Sequence, residues 1–247
     1  MFSDNLLVFT RQGTCWKKRT PNGIGWFPHL LTMIDNAGKR TDEFDFFLKQ
    51  HVEDPAAPAL KKMAQTFQVD EQERCAIALF IALTAARSPC LLNKTKNEYL
   101  QKLSDEEKEE LCMLIQTWSK ATGQPCMSLE EFLKPSQFGA VWVWAKSFQK
   151  RLLQWKWHIL QTTRNSPLVT SDWPVYAEWE KSQGIRLVSF PVSSEVAFIV
   201  HNEGKLRLNR DPEQDVCVLN QQTMKRATDF IVACRKDFPG VEFLAKW

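Results

Sequence analysis

The run "CAIALFIALTAA", Cys75 to Ala86, leaves a helix no polar face, and it constrains the chain more than any other stretch. It opens behind Asp70 and closes at Arg87, and it is too short to cross a bilayer. A helix of this kind needs other elements packed around it. The 247 residues suffice for one large domain with a sizeable core, or for two small ones. A charge placed at Leu79 or Phe80 is therefore expected to unfold the protein.

Helical pattern extends on both sides of this run, from residue 41 to about 152. Asp54 with Pro55 reads as an N-cap followed by proline at the first helical position. Ser104 with Glu107, and Ser128 with Glu131, have capping-box spacing. Gly123 and Pro125 punctuate the chain between them.

The flanks have the other period. Residues 5 to 27 carry the β-prone runs "LLVFT" and "GIGWF" between turn signals. After residue 153, "WKWHILQTT" reads as a strand, "RNSP" as a turn and "PLVTS" as its returning partner. "IRLVSFPVS" and "EVAFIVHNEGKLRL" read as further strands, the second turning at Asn202 to Gly204. Asn220 reads as the cap of a helix "QQTMKRATDFIVACRKD", and "VEFL" as a last strand. The expected class is α+β: one domain spanning 1–247, with a β-rich part (1–40), a helical layer (41–152) and a mainly antiparallel sheet with a C-terminal helix (153–247).

Composition excludes more than it assigns. A net charge of +3 does not by itself indicate nucleic acid. Seven cysteines, an odd number without CxxC pairs, favour reduced thiols and a cytoplasmic protein. Cys75, Cys112 and Cys234 read as buried thiols on apolar helical faces. The N-terminus, with Asp4 early and no long apolar core, does not read as a secretory signal. His29, His51, His158 and His201 lack ligand spacing, so no metal site is expected. Walker, G-x-G-x-x-G and G-x-S-x-G motifs are absent, as is a carboxylate–lysine signature after Asp172.

Tryptophan is abundant, at ten residues, and "VWVWAKSFQKRLLQWKWH" interleaves four indoles with Lys146, Lys150, Arg151, Lys156 and His158. Such a pattern can stack bases and track phosphates. Core packing of Trp142 and Trp155 is the weightier reading, because a helix points Trp142 and Trp144 in different directions. Nucleic acid is thus a weakly supported partner, a protein partner is the other candidate, and no membrane is expected.

The stretch "PLVTSDWPV" places Asp172 at a strand end, where Asx bonding and the restriction before Pro174 build a sharp turn. Together with "VEDPAAPAL", "ALFIALTAARSP", "ILQTTRNSPLVTSDWPV", "SFPVSSEVAFIV" and "LNQQTMKRATDFIV", it resembles the uncharacterised family known as domain of unknown function 4238. The resemblance runs from about residue 5 to residue 235. Members usually begin with a Gln-His-x-x-Pro motif, and none precedes "LLVFT" here. The resemblance implies α+β character and brings no established activity, substrate or cofactor.

The matching polar residues are Glu53, Arg87, Thr170, Ser171 and Asp172. As a site, Arg87 would bind an anionic group while a carboxylate acts as base or metal ligand, the chemistry of a hydrolase on a phosphoester or nucleic-acid substrate. As architecture, the same residues form an ion network, with Asp172 beside Arg87, in a non-catalytic interaction or effector module. The architectural reading weighs more, since structural networks also gather such groups. The residues name no cofactor.

Overall fold

The structure is a computed structural model, and it describes residues 6–10, 16–19, 33–34, 40–41, 43–87, 104–123, 125–126, 128, 137–180, 184–202 and 212–246. The chain opens with strands β1 (Leu6–Thr10), β2 (Lys17–Arg19), β3 (Met33–Ile34) and β4 (Arg40–Thr41). Helices α1 (Glu43–Leu48), α2 (Asp54–Thr66), α3 (Glu71–Ala86), α4 (Asp105–Thr122) and α5 (Gln137–Gln154) follow, with a π-helical turn, Lys49–Glu53, between α1 and α2. Next come β5 (Lys156–Gln161), β6 (Thr170–Ser171), β7 (Tyr176–Glu180), β8 (Gly184–Pro191) and β9 (Val196–His201). Helix α6 (Pro212–Arg226), β10 (Phe230–Ala233) and a 3-10 turn, Val241–Lys246, end it. The class is α+β, as the two periodicities imply. No helix among the described residues is long and apolar enough to cross a membrane.

The chain divides into two compact units. One comprises residues 1–26, 60–68 and 152–247; the other comprises 27–59 and 69–151. The helical unit holds α3. Its capping box is complete: Glu73 N–H donates to Asp70 at 2.8 Å, and Asp70 N–H donates to Glu73 at 2.9 Å. Ile77, Ile81 and Leu83 are buried on it, whereas Leu79 and Phe80 are only half-buried. The positions that forbid a charge are thus Ile77 and Ile81, because a lysine at Phe80 can carry its amine outward. Gln149 of α5 donates to Cys75 O of α3 at 3.0 Å. Trp142 and Trp144 are buried, Trp142 against Phe47 and Trp144 against Phe148, so these indoles serve packing. The Ser104–Glu107 capping box opens α4, and Gly123, at φ +70°, closes it in the left-handed conformation that glycine adopts without strain. Ser128 is described but Glu131 is not, so that expected box, like "GIGWF", lies outside the described residues.

Asp54 does not cap a helix. It is itself helical, at φ −63° and ψ −40°, and its N–H reaches Lys49 O. Pro55 removes the N–H that would meet His51 O and crowds that carbonyl, which accounts for the widened π turn.

The other unit is built on two antiparallel four-stranded sheets, ordered β2-β1-β10-β6 and β5-β9-β8-β7. Here several expectations change. β5 pairs with β9, not with the Thr170–Ser171 strand, which pairs instead with β10. The segment "DFIVA" is not helical: it forms β10, between β1 and β6. Burial of both its faces explains this, since Ile231 packs with Met224 and Phe238 on one face while Val232 packs with Leu6 and Val8 on the other. Asn220 lies inside α6, not at its start, and "VEFL" is a 3-10 turn. Residues 203–211, where a turn at Gly204 was expected, lie outside the described residues.

The thiols also differ from expectation. Cys75 and Cys112 are exposed, and Cys234 is half-buried in a bend after β10. The five described cysteines, these three with Cys126 and Cys217, are all free.

Candidate functional site

The polar residues singled out by sequence fall into two groups, one on each unit. In the helical unit the π turn presents Glu53 to Arg87, whose Nη1 donates to Glu53 Oε1 at 2.9 Å. The bond is single, and Arg87 Nε is buried with no hydrogen-bond partner among the described residues.

The second group is the "TSDWP" turn. Thr170 and Ser171 form β6, opposite Val232 and Ile231. Ser171 is buried, and its hydroxyl accepts the Trp173 N–H at 3.0 Å, which folds the chain sharply before Pro174. Asp172 donates its own N–H to Phe230 O at 3.3 Å. Its carboxylate then accepts from the segment that follows α6: Thr228 N–H at 3.1 Å, Asp229 N–H at 3.1 Å, Phe230 N–H at 3.5 Å, and the Thr228 hydroxyl. Both oxygens are engaged, Oδ1 by Thr228 and Phe230 and Oδ2 by Thr228 and Asp229.

Two further side chains tie the same stretch to α6. Asn220, fully buried, accepts Val169 N–H at 2.9 Å and donates to Pro167 O at 3.0 Å and Pro239 O at 2.9 Å. Arg226, in the last turn of α6, donates to Ala177 O at 3.2 Å. Its guanidinium lies 6.0 Å from the Trp173 ring and 5.5 Å from the Tyr176 ring, within cation–π range. "PLVTSDWPV" is thus a strap fastened at three points along one helix and the turn beyond it. Sequence reasoning singled out Asp172, gave Asn220 the different role of a helix cap, and missed Arg226 and Thr228. The available signal was Thr228-Asp229, a turn pair set directly after the basic end of a helix.

Burial pushes the Tyr176 phenol above its ordinary range, with Glu178 adding to the rise and Arg226 and Arg186 opposing it. The folded state thus holds the phenolic proton more tightly than the unfolded chain does. That contribution to stability is complete below the unfolded pKa of about 10 and is lost as pH rises through the higher folded value. Melts of the parent are expected to lose stability above pH 10 more steeply than those of Tyr176→Phe; parallel curves would refute this.

Other chemistry is sparse. Burial raises the Cys217 thiol, and Gln221 donates to its sulfur at 3.2 Å, so it is not an activated nucleophile. His158 and His201, on adjacent strands, stack at 4.9 Å. Among the described residues no three metal-binding side chains converge. A small cleft of about 40 Å³ between α4 and α5 is lined by Glu107, Glu110, Lys146 and Lys150, with Lys150 and Glu110 paired at 3.1 Å.

A family model described as a protein of unknown function, DUF4238, matches residues 2–237. No curated protein and no solved structure matches the chain.

Proposed function

We propose, for a chain that belongs to the DUF4238 family of unknown function, a non-catalytic interaction module in which Glu53, Arg87, Thr170, Ser171 and Asp172 hold the architecture. The observation that carries this reading is the engagement of both Asp172 oxygens by the Thr228–Phe230 segment. A general base or metal ligand needs a lone pair facing the incoming proton or cation. Here those lone pairs face backbone N–H groups of the fold. Glu53 and Arg87 likewise engage each other.

The partner in this reading is a protein. Burial of Trp142 and Trp144 removes half of the indoles that a nucleic-acid platform would use. The odd cysteine count, with five free thiols among the described residues, supports a cytoplasmic setting.

Asp172→Asn tests the assignment. The amide must turn its NH2 toward the N–H groups that the second oxygen accepted, which sets donor against donor. Denaturant melts should show a loss of about 1–3 kcal/mol. A catalytic carboxylate predicts the opposite pattern: coincident melts, with loss of a measurable phosphoesterase or nuclease activity of the parent.

A further inference from the structure

Arg226 is half-buried, its guanidinium lies within cation–π range of two aromatic rings, and among the described residues it donates to the neutral Ala177 carbonyl. No carboxylate among the described residues pairs with it. The Arg226 side chain is partly exposed. Cation–π contact with both rings restrains the guanidinium, so part of the entropy of ordering a long side chain is lost on folding instead of on binding.

We propose that Trp173, Tyr176 and Arg226 form a docking point for a carboxylate side chain on an acidic segment of a protein partner. The proposal rests on the interaction-module reading above and names its partner chemistry. Arg, Trp and Tyr are the residues that concentrate binding energy at interfaces, because they combine a large rigid contact area with directed hydrogen bonding. The local charge selects the ligand. Arg226 and Arg186 contribute two positive charges around Tyr176 and Glu178 one negative, with Arg186 and Glu178 already paired at 2.8 Å. Arg226 is left without a carboxylate partner among the described residues, and a single carboxylate is its complement. The Arg226 guanidinium would donate two N–H groups to the two carboxylate oxygens side by side.

The test uses the purified full chain, labelled with nitrogen-15 for side-chain NMR. Acetylated hexaglutamate amide is titrated in, with hexaglutamine amide and inorganic phosphate as counter-probes. Hexaglutamate should shift the Arg226 Nε–H and Trp173 Nε1–H signals saturably, and hexaglutamine should not. Arg226→Lys keeps the charge but loses the fork, and should weaken binding by about tenfold or more. Glu178→Gln removes the competing carboxylate, and should tighten it severalfold. If Arg226→Lys does not fold, Trp173→Phe takes its place, with a smaller loss expected. The proposal is overturned if hexaglutamate shifts neither signal, if hexaglutamine binds equally, or if phosphate binds more tightly than the peptide. Those failures leave the Asp172→Asn melt untouched, so a wrong ligand is distinguishable from a wrong reading of the module.

Discussion

Ile81→Lys will yield no cooperatively folded protein, while Gln72→Lys on the same helix will melt like the parent. Ile81 is fully buried and Gln72 is exposed, so the pair separates burial from helix propensity. Removing the isoleucine side chain alone costs on the order of 2–5 kcal/mol in lost transfer energy and cavity. An ammonium placed there adds several more, because full burial strips it of water. Against a total stability of about 5–15 kcal/mol, the sum removes most or all of the margin. Far-ultraviolet circular dichroism with urea titration checks both variants. A soluble Ile81→Lys protein with a sigmoidal urea transition would show that α3 is not the core of its unit.

That placement was legible in the sequence because it depends on one local pattern. Twelve residues with no polar face admit one solution, and the residue at which each turn faces inward was the only part left open. Phe80 and Leu79 illustrate the limit: a run apolar all round does not reveal which side is most enclosed, and neighbouring helices decided for Ile77 and Ile81. Capping boxes were equally legible, since Ser104 and Glu107 find each other within one turn. Pairing between strands was not. Nothing local tells "PLVTS" to leave the adjacent "WKWHILQTT" and join "FIVA" about sixty residues later in the chain. The choice lies in which faces are apolar on both partners, and Val232 and Ile231 make β10 apolar on both.

The same distinction runs through the candidate site. Asp172 announced itself by its own turn, but its partners at Thr228 to Phe230 come from a segment read as helix. Once "DFIVA" becomes a strand, the turn before it exposes three N–H groups in succession, and a carboxylate is the natural acceptor for such a group. Within its own unit Asp172 meets the Thr228 turn, and within the other unit Arg87 meets Glu53. A helix N-cap reading of Asn220 failed for a related reason. Asparagine favours helix starts because its side chain competes for nearby backbone groups, and inside α6 that capacity is directed outward instead.

Asn220→Ala should accordingly be the most damaging single change outside the apolar core. The side chain is fully buried and makes three hydrogen bonds to backbone atoms of two separate segments, Pro167–Val169 and Pro239. Alanine leaves one N–H and two carbonyls without these partners, in a space too enclosed for easy solvation. Each unsatisfied group costs about 1–3 kcal/mol, and the cavity adds to that, so a loss on the order of 3–5 kcal/mol is expected. Asn220→Asp is the informative companion. It keeps the acceptor for Val169 N–H but turns the amide donor toward Pro167 O and Pro239 O into a second acceptor, setting negative oxygens against carbonyls. It should be at least as destabilising as alanine near neutral pH. Lowering the pH protonates the buried carboxyl, restores one donor and should recover part of the loss, because a group whose folded pKa is raised destabilises only where it must ionise. Urea melts of both variants at neutral and mildly acidic pH read this directly. A small loss for Asn220→Ala, within the roughly ±0.5 kcal/mol of an ordinary surface change, would mean that the strap is held by its apolar residues Leu168 and Val169 alone.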